Sequence, residues 1–408
     1  MIRIDRRGWS SALTALLLLV LSACVAHQPL RRAQAEAEPV AAGTDAVAAT
    51  LEHLRDNDPA PDPEASVAEQ VAEPQPEPEE QEPIDATHFI LESKSVQMVG
   101  QVQLIRARAD DTFSDIARTY GLGFDDLKNA NPNVDPWLPG EGTRIVLPTQ
   151  FVLPAGKREG VVLNIAAKRL YYFPPENDAG EKTLITHPIG IGRVGWATPI
   201  GESSVIAKAK DPVWYVPWSV RQEHREMGDP IPAVVPAGED NPLGHRVLKL
   251  GMPGYLIHGT NQPYGVGMRV SHGCVRLYPE NIESLYELVG LGTPVRIVNE
   301  PLLGAWQNGH YYVQMHPVLE DDELEYDARL ANLRESAGEL SIAPEIFEER
   351  VAALSVEAKG YPVAVMSRGT VSAAISLPIP VKNTVVVDNP VSEEELAELM
   401  VQTDQTSE

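Results

Sequence analysis

The stretch Arg269–Pro279, RVSHGCVRLYP, surrounds one thiol with groups able to make it a nucleophile. His272 stands two residues before Cys274, and His258 sixteen residues before it, at the end of the apolar run YLI. A thiol at neutral pH is mostly protonated, and the thiolate is the attacking species. A neighbouring imidazole or cation lowers the thiol pKa and accepts the proton. The base in such a pair must be near in space, not in sequence. Gly273 lets the backbone pass close to a substrate, and the peptide N–H groups of Gly273 and Cys274 are candidates for holding a developing oxyanion. The same His258, His272 and Cys274 could instead ligate zinc. The two close residues are only two apart and no C-x-x-C pair offers a fourth ligand, so no metal or other cofactor is expected. His187, His224 and His245 read as surface or core histidines.

The chain has two cysteines, and their setting sorts them. Arg3, Arg6 and Arg7 precede the apolar run Ser11–Ala23, which is shorter than the roughly 20 residues a membrane-spanning helix needs. Residues 1–23 therefore read as an export signal. LSAC, Leu21–Cys24, resembles a bacterial lipobox, which implies lipidation of Cys24 after cleavage; the alternative is an ordinary signal with an incidental cysteine. Val25 is not Asp, which in Gram-negative lipoproteins favours the outer membrane. The expected location is the periplasm, lipid-anchored at the outer membrane. Cys274 then has no disulfide partner, and a lone thiol in an oxidising compartment is a liability unless buried or used.

The net charge of −25 is concentrated. Residues 24–100 hold an acidic, Pro-rich stretch from Glu36 to Asp85 in which Arg55 is the only Arg or Lys. Such composition cannot bury enough apolar surface to offset ordering, so a disordered linker is expected. No basic patch suited to phosphates is present, which argues against nucleic acid as a partner.

Residues 101–149 read as a small βααβ unit. Val102, Leu104 and Ile105 suggest a strand. Asp110, Asp111 or Thr112 can cap a helix whose apolar face is Phe113, Ile116, Ala117 and Tyr120, and Gly121 suits its end. Phe124–Ala130 gives a second helix ended by NPN, and TRIVLP a closing strand. The pattern resembles the LysM module, which implies binding to glycan strands of peptidoglycan; the alternative is a packing subdomain without that function.

From 158 to 299 the chain is rich in short β segments. GVVLNIAAKRLYYFP reads as a hairpin turning at AAK, and YLIHGT and PVRIV as further strands. Only YPENIESLYELVG is convincingly helical. Trp214, Tyr215 and Trp218 read either as core aromatics or as a lid over a substrate groove. The expected fold is a mostly β sandwich with short helices, accompanied by the βααβ unit and the N-terminal linker.

IHGTNQPYGVGMRVSHGCVRLYPENI resembles the signature of the L,D-transpeptidase (YkuD/ErfK) family, and the upstream ATPIGESSVIAKAKDPVWYVPWSVRQEH is similar to its periplasmic members. The resemblance implies a cysteine acyltransferase acting on peptidoglycan. Cys274 would be the nucleophile and His258 the base, oriented by the Gly259 carbonyl. Ser271, His272 and Gly273 would shape the site and its oxyanion hole. Arg276, Tyr264 and Trp214 would contact the substrate. The thiolate would attack the third residue of a tetrapeptide stem, release D-Ala, and pass the acyl group to an amine. Diaminopimelate of another stem, a Braun-type lipoprotein lysine and free D-amino acids remain open as acceptors. A hydrolase using water, or a non-catalytic tether between lipid and wall, are the other readings.

Residues 300–408 suggest a hairpin turning at Asn308-Gly309, a helix from Pro344 to Gly360 and an acidic end, with no function attached.

Overall fold

The computed structural model describes residues 79–322, 325–368 and 377–386, all within one compact unit, Gln75–Glu408. The expected export segment, Cys24, the acidic stretch up to residue 78 and the C-terminal end from 387 lie outside the described residues.

The chain opens with β1 (His88–Leu91), β2 (Met98–Gly100), β3 (Gln103–Arg106), α1 (Phe113–Thr119), α2 (Phe124–Ala130), β4 (Arg144–Leu147) and β5 (Gln150–Val152). There follow β6 (Gly160–Asn164), β7 (Arg169–Phe173), β8 (Lys182–Pro188), β9 (Ile191–Gly192), β10 (Gly201–Lys210) and β11 (Trp214–Tyr215). Next are α3 (Trp218–Glu226), β12 (Val234–Val235), β13 (Arg246–Leu250), β14 (Leu256–His258), β15 (Arg269–Ser271), β16 (Val275–Arg276), α4 (Pro279–Leu288) and β17 (Pro294–Val298). The last part holds β18 (Leu302–Gln307), β19 (His310–Met315), α5 (Tyr326–Ala337), α6 (Pro344–Glu357), β20 (Val363–Ser367) and β21 (Ile379–Pro380).

The protein is mostly β, as the composition of short strands suggests. A nine-stranded sheet runs β1-β8-β7-β6-β17-β10-β13-β14-β16. Its long β10 pairs with β17 through Gly201–Ser204 and with β13 through Val205–Lys210, with a register shift between Val205 and Ala207. A shift of this kind bends a strand, and it lets one sheet run from β1 to the β14–β16 edge.

All five residues of β6 and all five of β7 are buried. Successive side chains point to opposite faces, and each face meets its own core. Val161, Leu163, Leu170 and Tyr172 pack with Ile257, Val275 and Ile282. Val162, Tyr171 and Phe173 pack with Ile105, Phe113, Ile116, Leu127 and Ile145 of the βααβ unit. Burying each such large apolar side chain contributes roughly 1.5–3 kcal/mol. The βααβ unit is therefore one wall of the same core and not a detachable bead.

Within that unit the local expectations hold. The Thr112 hydroxyl accepts from the Asp115 N–H and caps α1, whose predicted face is buried. In NPN, Asn131 exchanges two hydrogen bonds with the Val146 backbone, at 2.8 and 2.9 Å, tying the end of α2 to β4. Its amide is committed to structure. Arg169 reaches across from β7, donating to Gly121 O and pairing with Asp126, both at 3.1 Å, while its guanidinium covers the Phe151 ring at 4.1 Å.

Two expectations need correction. The segment 24–100, read as linker, ends in structure: β1 adds to β8, and β2 pairs with β5. Region 158–299 contains a second helix, α3, missed because only Val220 of its nine residues is buried. The extension from residue 300 builds its own small core, in which the β18-β19-β20 sheet packs on α5 and α6 through Tyr311, Val313, Leu333, Phe347 and Val351. It then returns β21 to β3, giving the βααβ unit a third strand.

Candidate active site

The thiol edge of the sheet is made of very short strands. β16 lies parallel to β14, with Ile257 opposite Val275 and His258 opposite Arg276. Ile257 and Val275 are buried in the core, so by alternation His258 and Arg276 share the other face. Cys274 immediately precedes β16 and is half-buried; its sulfur lies 3.7 Å from Gly254 O.

His258 is buried, and its Nδ1 donates to Gly259 O at 2.6 Å. A carbonyl can only accept, so Nδ1 carries the proton and Nε2 keeps a lone pair. Burial, helped by the nearby Arg276 charge and opposed by the Gly259 and Leu243 carbonyls, pushes the His258 pKa down to about 3. At neutral pH this imidazole is an uncharged base. Cys274 departs from the expected direction. Burial pushes its thiol up, and this outweighs the Leu256 N–H and the Arg276 charge, which pull it down. Burial thus acts against charge on both side chains, raising the Cys274 thiol and lowering the His258 imidazole.

The turn carrying Cys274 is held at several points. Ser271 Oγ donates to Cys274 O at 2.5 Å and accepts from the Gly273 N–H at 3.2 Å. Thr198 Oγ1 donates to Gly273 O at 3.0 Å and accepts from the Gly192 N–H at 3.0 Å. Gly273 has φ +97°, and a Cβ there would sit 3.1 Å from the Tyr255 ring, so both conformation and space require glycine. With the Gly273 N–H engaged by Ser271, the Cys274 N–H is the better oxyanion candidate of the two.

His272 turns away to a polar cluster. Its Nε2 lies 2.7 Å from Glu223 Oε2 and 3.2 Å from Arg193 Nη2. Arg193 and Trp196 Nε1 donate to Glu223 Oε1 at 2.5 and 3.3 Å, and the Trp196 ring meets the His272 ring edge-on at 4.9 Å. Burial pushes the Glu223 carboxyl up, but the hydrogen bonds from Arg193, His272 and Trp196 outweigh it and hold it at about 2. Burial also lowers His272, with Glu223 partly restoring it.

The remaining candidates are dispersed. Arg276 lies close enough to interact electrostatically with Cys274, His258, His272 and Tyr264, and its Nε has no hydrogen-bond partner among the described residues. Tyr264 sits in a 3-10 turn, Pro263–Gly265, partly packed against the core of the βααβ unit. Trp214 is half-buried on the β11–β12 ribbon. Tyr215 and Trp218 are 75% and 64% exposed, which removes the core reading for both. A cleft of about 1130 Å³ opens beside β7 and β8, lined by residues such as Arg158, Phe173 and Leu333, and includes none of these site residues.

Residues 158–297 match the model of the L,D-transpeptidase catalytic domain. The chain is 40% identical over 248 residues to the probable L,D-transpeptidase YbiS of Escherichia coli (strain K12), covering 60% of this chain and 79% of that protein. The chain belongs to the L,D-transpeptidase family. The probable L,D-transpeptidase YcfS of Escherichia coli (strain K12) is 43% identical over 211 residues, 50% of this chain and 65% of that protein. The probable L,D-transpeptidase ErfK/SrfK of Salmonella typhimurium (strain LT2) is 37% identical over 247 residues, 60% of this chain and 78% of that protein.

Four residues of this L,D-transpeptidase family member that contact the Cys274 turn escaped the sequence reading: Arg193, Trp196, Thr198 and Glu223. They lie 49 to 79 positions from the residues of the turn that they contact, Trp196 by its ring and the others by hydrogen bonds or close polar approach. No spacing rule joins them. The one signal available was the acid in RQEHRE, which composition cannot distinguish from a solvated helix face.

Proposed function

We propose that this L,D-transpeptidase is a peptidoglycan acyltransferase with Cys274 as nucleophile and His258 as general base. The observation that carries the reading is the His258 ring, buried, uncharged at neutral pH and held through Nδ1 by Gly259 O, on the strand that pairs with β16 just after Cys274. In the first half-reaction the Sγ–H proton passes to His258 Nε2 as sulfur attacks the carbonyl carbon of the third stem residue. The oxyanion that forms is met by the Cys274 N–H. The tetrahedral intermediate breaks its C–N bond, and the imidazolium returns the proton to the departing D-Ala amine. A thioester remains on Cys274. In the second half-reaction an acceptor amine attacks that thioester, His258 takes the proton from the attacking nitrogen, and the sulfur leaves and is reprotonated.

The same proposal places the protein in the periplasm, held by lipid on Cys24 at the outer membrane, with the βααβ unit of residues 101–149 recognising glycan. What supports these points is the sequence pattern alone: the basic and apolar leader ending in LSAC, and the LysM-like order of strands and helices.

Mass spectrometry of the protein after incubation with a carbapenem tests the chemistry. An adduct on the Cys274 peptide, absent from Cys274→Ala and from a sample alkylated beforehand, is the expected result. No adduct on the intact protein would overturn the acyl-transfer reading in favour of a tether.

A further inference from the structure

Helix α3 lies in the long excursion between β10 and β13, and it is poorly anchored by its own apolar surface. Of Trp218–Glu226, only Val220 is buried, while Trp218 and the following Met227 are exposed. Elements with few buried apolar contacts open at low cost. Yet the hydrogen bonds that α3 makes toward the Cys274 turn run through Glu223. Arg193 and Trp196 hold one carboxylate oxygen and the His272 ring holds the other.

His272 is joined to Cys274 through a single residue, Gly273, which has a positive φ and no side chain to wedge the backbone in place. The other anchors of that turn, Ser271 and Thr198, belong to the β-rich body. Glu223 is the anchor that comes from a different and weakly held element. We propose that Glu223 is a positioning residue which grips the His272 ring from α3 and thereby aligns the Cys274 turn, making acylation depend on α3 being docked.

The geometry states how the grip works. Glu223 Oε2 at 2.7 Å can only accept, so His272 Nε2 carries a proton directed at it. Arg193, a donor at 3.2 Å from the same nitrogen, then contributes charge to Glu223 and not a hydrogen bond to His272. Arg193 and Trp196 fix the carboxylate, the carboxylate fixes the ring, and the ring fixes the peptide before Gly273. The His224 ring, its centroid 6.2 Å from that of His272, and the Arg276 charge complete the surroundings of the ring.

This inference rests on the acyl-transfer reading, and a double-mutant cycle separates the two. Carbapenem acylation rates are measured by stopped-flow for the full chain and for E223A, H272A and the pair. A misplacement of about 1 Å at a reacting group costs up to about 100-fold, so E223A is expected to slow acylation by roughly 10–100-fold. If Glu223 acts through His272, the pair is no slower than H272A alone. Multiplicative losses would show that Glu223 merely anchors the helix, and would overturn the proposal. A wild-type rate for E223A would overturn it as well, whereas an unreactive wild-type thiol would instead sink the acyl-transfer reading beneath it. As a second readout, the His272 imidazole N–H signal in nitrogen-15 spectra should shift or exchange-broaden in E223A. E223Q, whose amide oxygen can still accept that proton, should recover part of both the rate and the signal.

Discussion

The two ends of the nine-stranded sheet are built differently. At the β8-β7-β6 end the registers run four or five pairs long, every residue of β6 and β7 is buried, and each face meets a separate core. At the β14–β16 end the strands are two or three residues long, and side chains such as Ser271 and Thr198 hold the backbone where a ladder would otherwise do so. A complete ladder commits its N–H groups to neighbouring carbonyls. The broken edge leaves Cys274 half-buried beside β16, and the thick end supplies the rigidity that this edge lacks.

Breaking the thin end should be fatal to activity and mild for folding. His258→Ala is expected to slow acylation at pH 7 by roughly 100- to 10,000-fold, with partial recovery at high pH as the thiol ionises unaided. Because burial holds His258 at about 3, the acid limb of the wild-type rate profile should fall well below the usual imidazole value. A profile inflected near 6.5 would assign the base elsewhere.

Breaking the thick end should do the reverse. Arg169→Ala leaves Asp126 without its buried partner and is expected to cost about 3–5 kcal/mol, read by denaturant unfolding. The thiol of whatever fraction stays folded should react at the wild-type rate. Normal stability in this variant would mean that the βααβ wall contributes little to the core.

Acid sharpens the same contrast. Burial pushes His187, His258 and His316 down to about 3 each. Between about pH 6.5 and 3 the unfolded chain takes up protons that the native chain refuses, so stability is present above that window and lost as pH falls through it. Melting temperature should drop across the window, and His187→Leu should flatten part of the slope, since neither His187 ring nitrogen has a partner among the described residues. The smallest effect should come from Arg118→Ala. Its bidentate pair with Glu280 at 2.8 and 2.9 Å joins the two regions at the surface, with both side chains more than two-fifths exposed. Less than about 1 kcal/mol should be lost.

What could be read from the sequence was what is local. The AAK turn places Lys168 at φ +45°, Asn308-Gly309 makes the expected hairpin at +50° and +80°, and Pro344 opens α6. Each needs only neighbours in the chain. The HG and SHGC segments were readable for a different reason, their resemblance to a family signature, and residues 158–297 match that family's catalytic domain. Helix α3 was invisible because it lacks an apolar face, and Glu223 because its partners are distant in sequence. The fused βααβ unit had a signal that was passed over. RLYYF and GVVLN lack the polar alternation of a strand with one wet face, and continuous runs of that kind mark burial on both sides.

The third strand of the βααβ unit also governs when the protein can be finished. Gln81 bridges Val381, exchanging backbone hydrogen bonds at 3.0 Å with Pro380 O and at 2.9 Å with the Lys382 N–H. Asn383 donates to Asp111 at 2.6 Å and to Arg106 O at 2.9 Å, while Tyr120 OH donates to Lys382 O at 3.1 Å. These contacts join residues some 260 to 300 positions apart. Closing so long a loop is slow and gains nothing until the far segment arrives. Synthesis runs from the N-terminus at roughly 5–20 residues per second, so the βααβ unit waits on the order of ten seconds or more with an open sheet edge before β21 exists. The last strand among the described residues seals a unit made near their start, and a chain cut short before it would carry an unpaired edge.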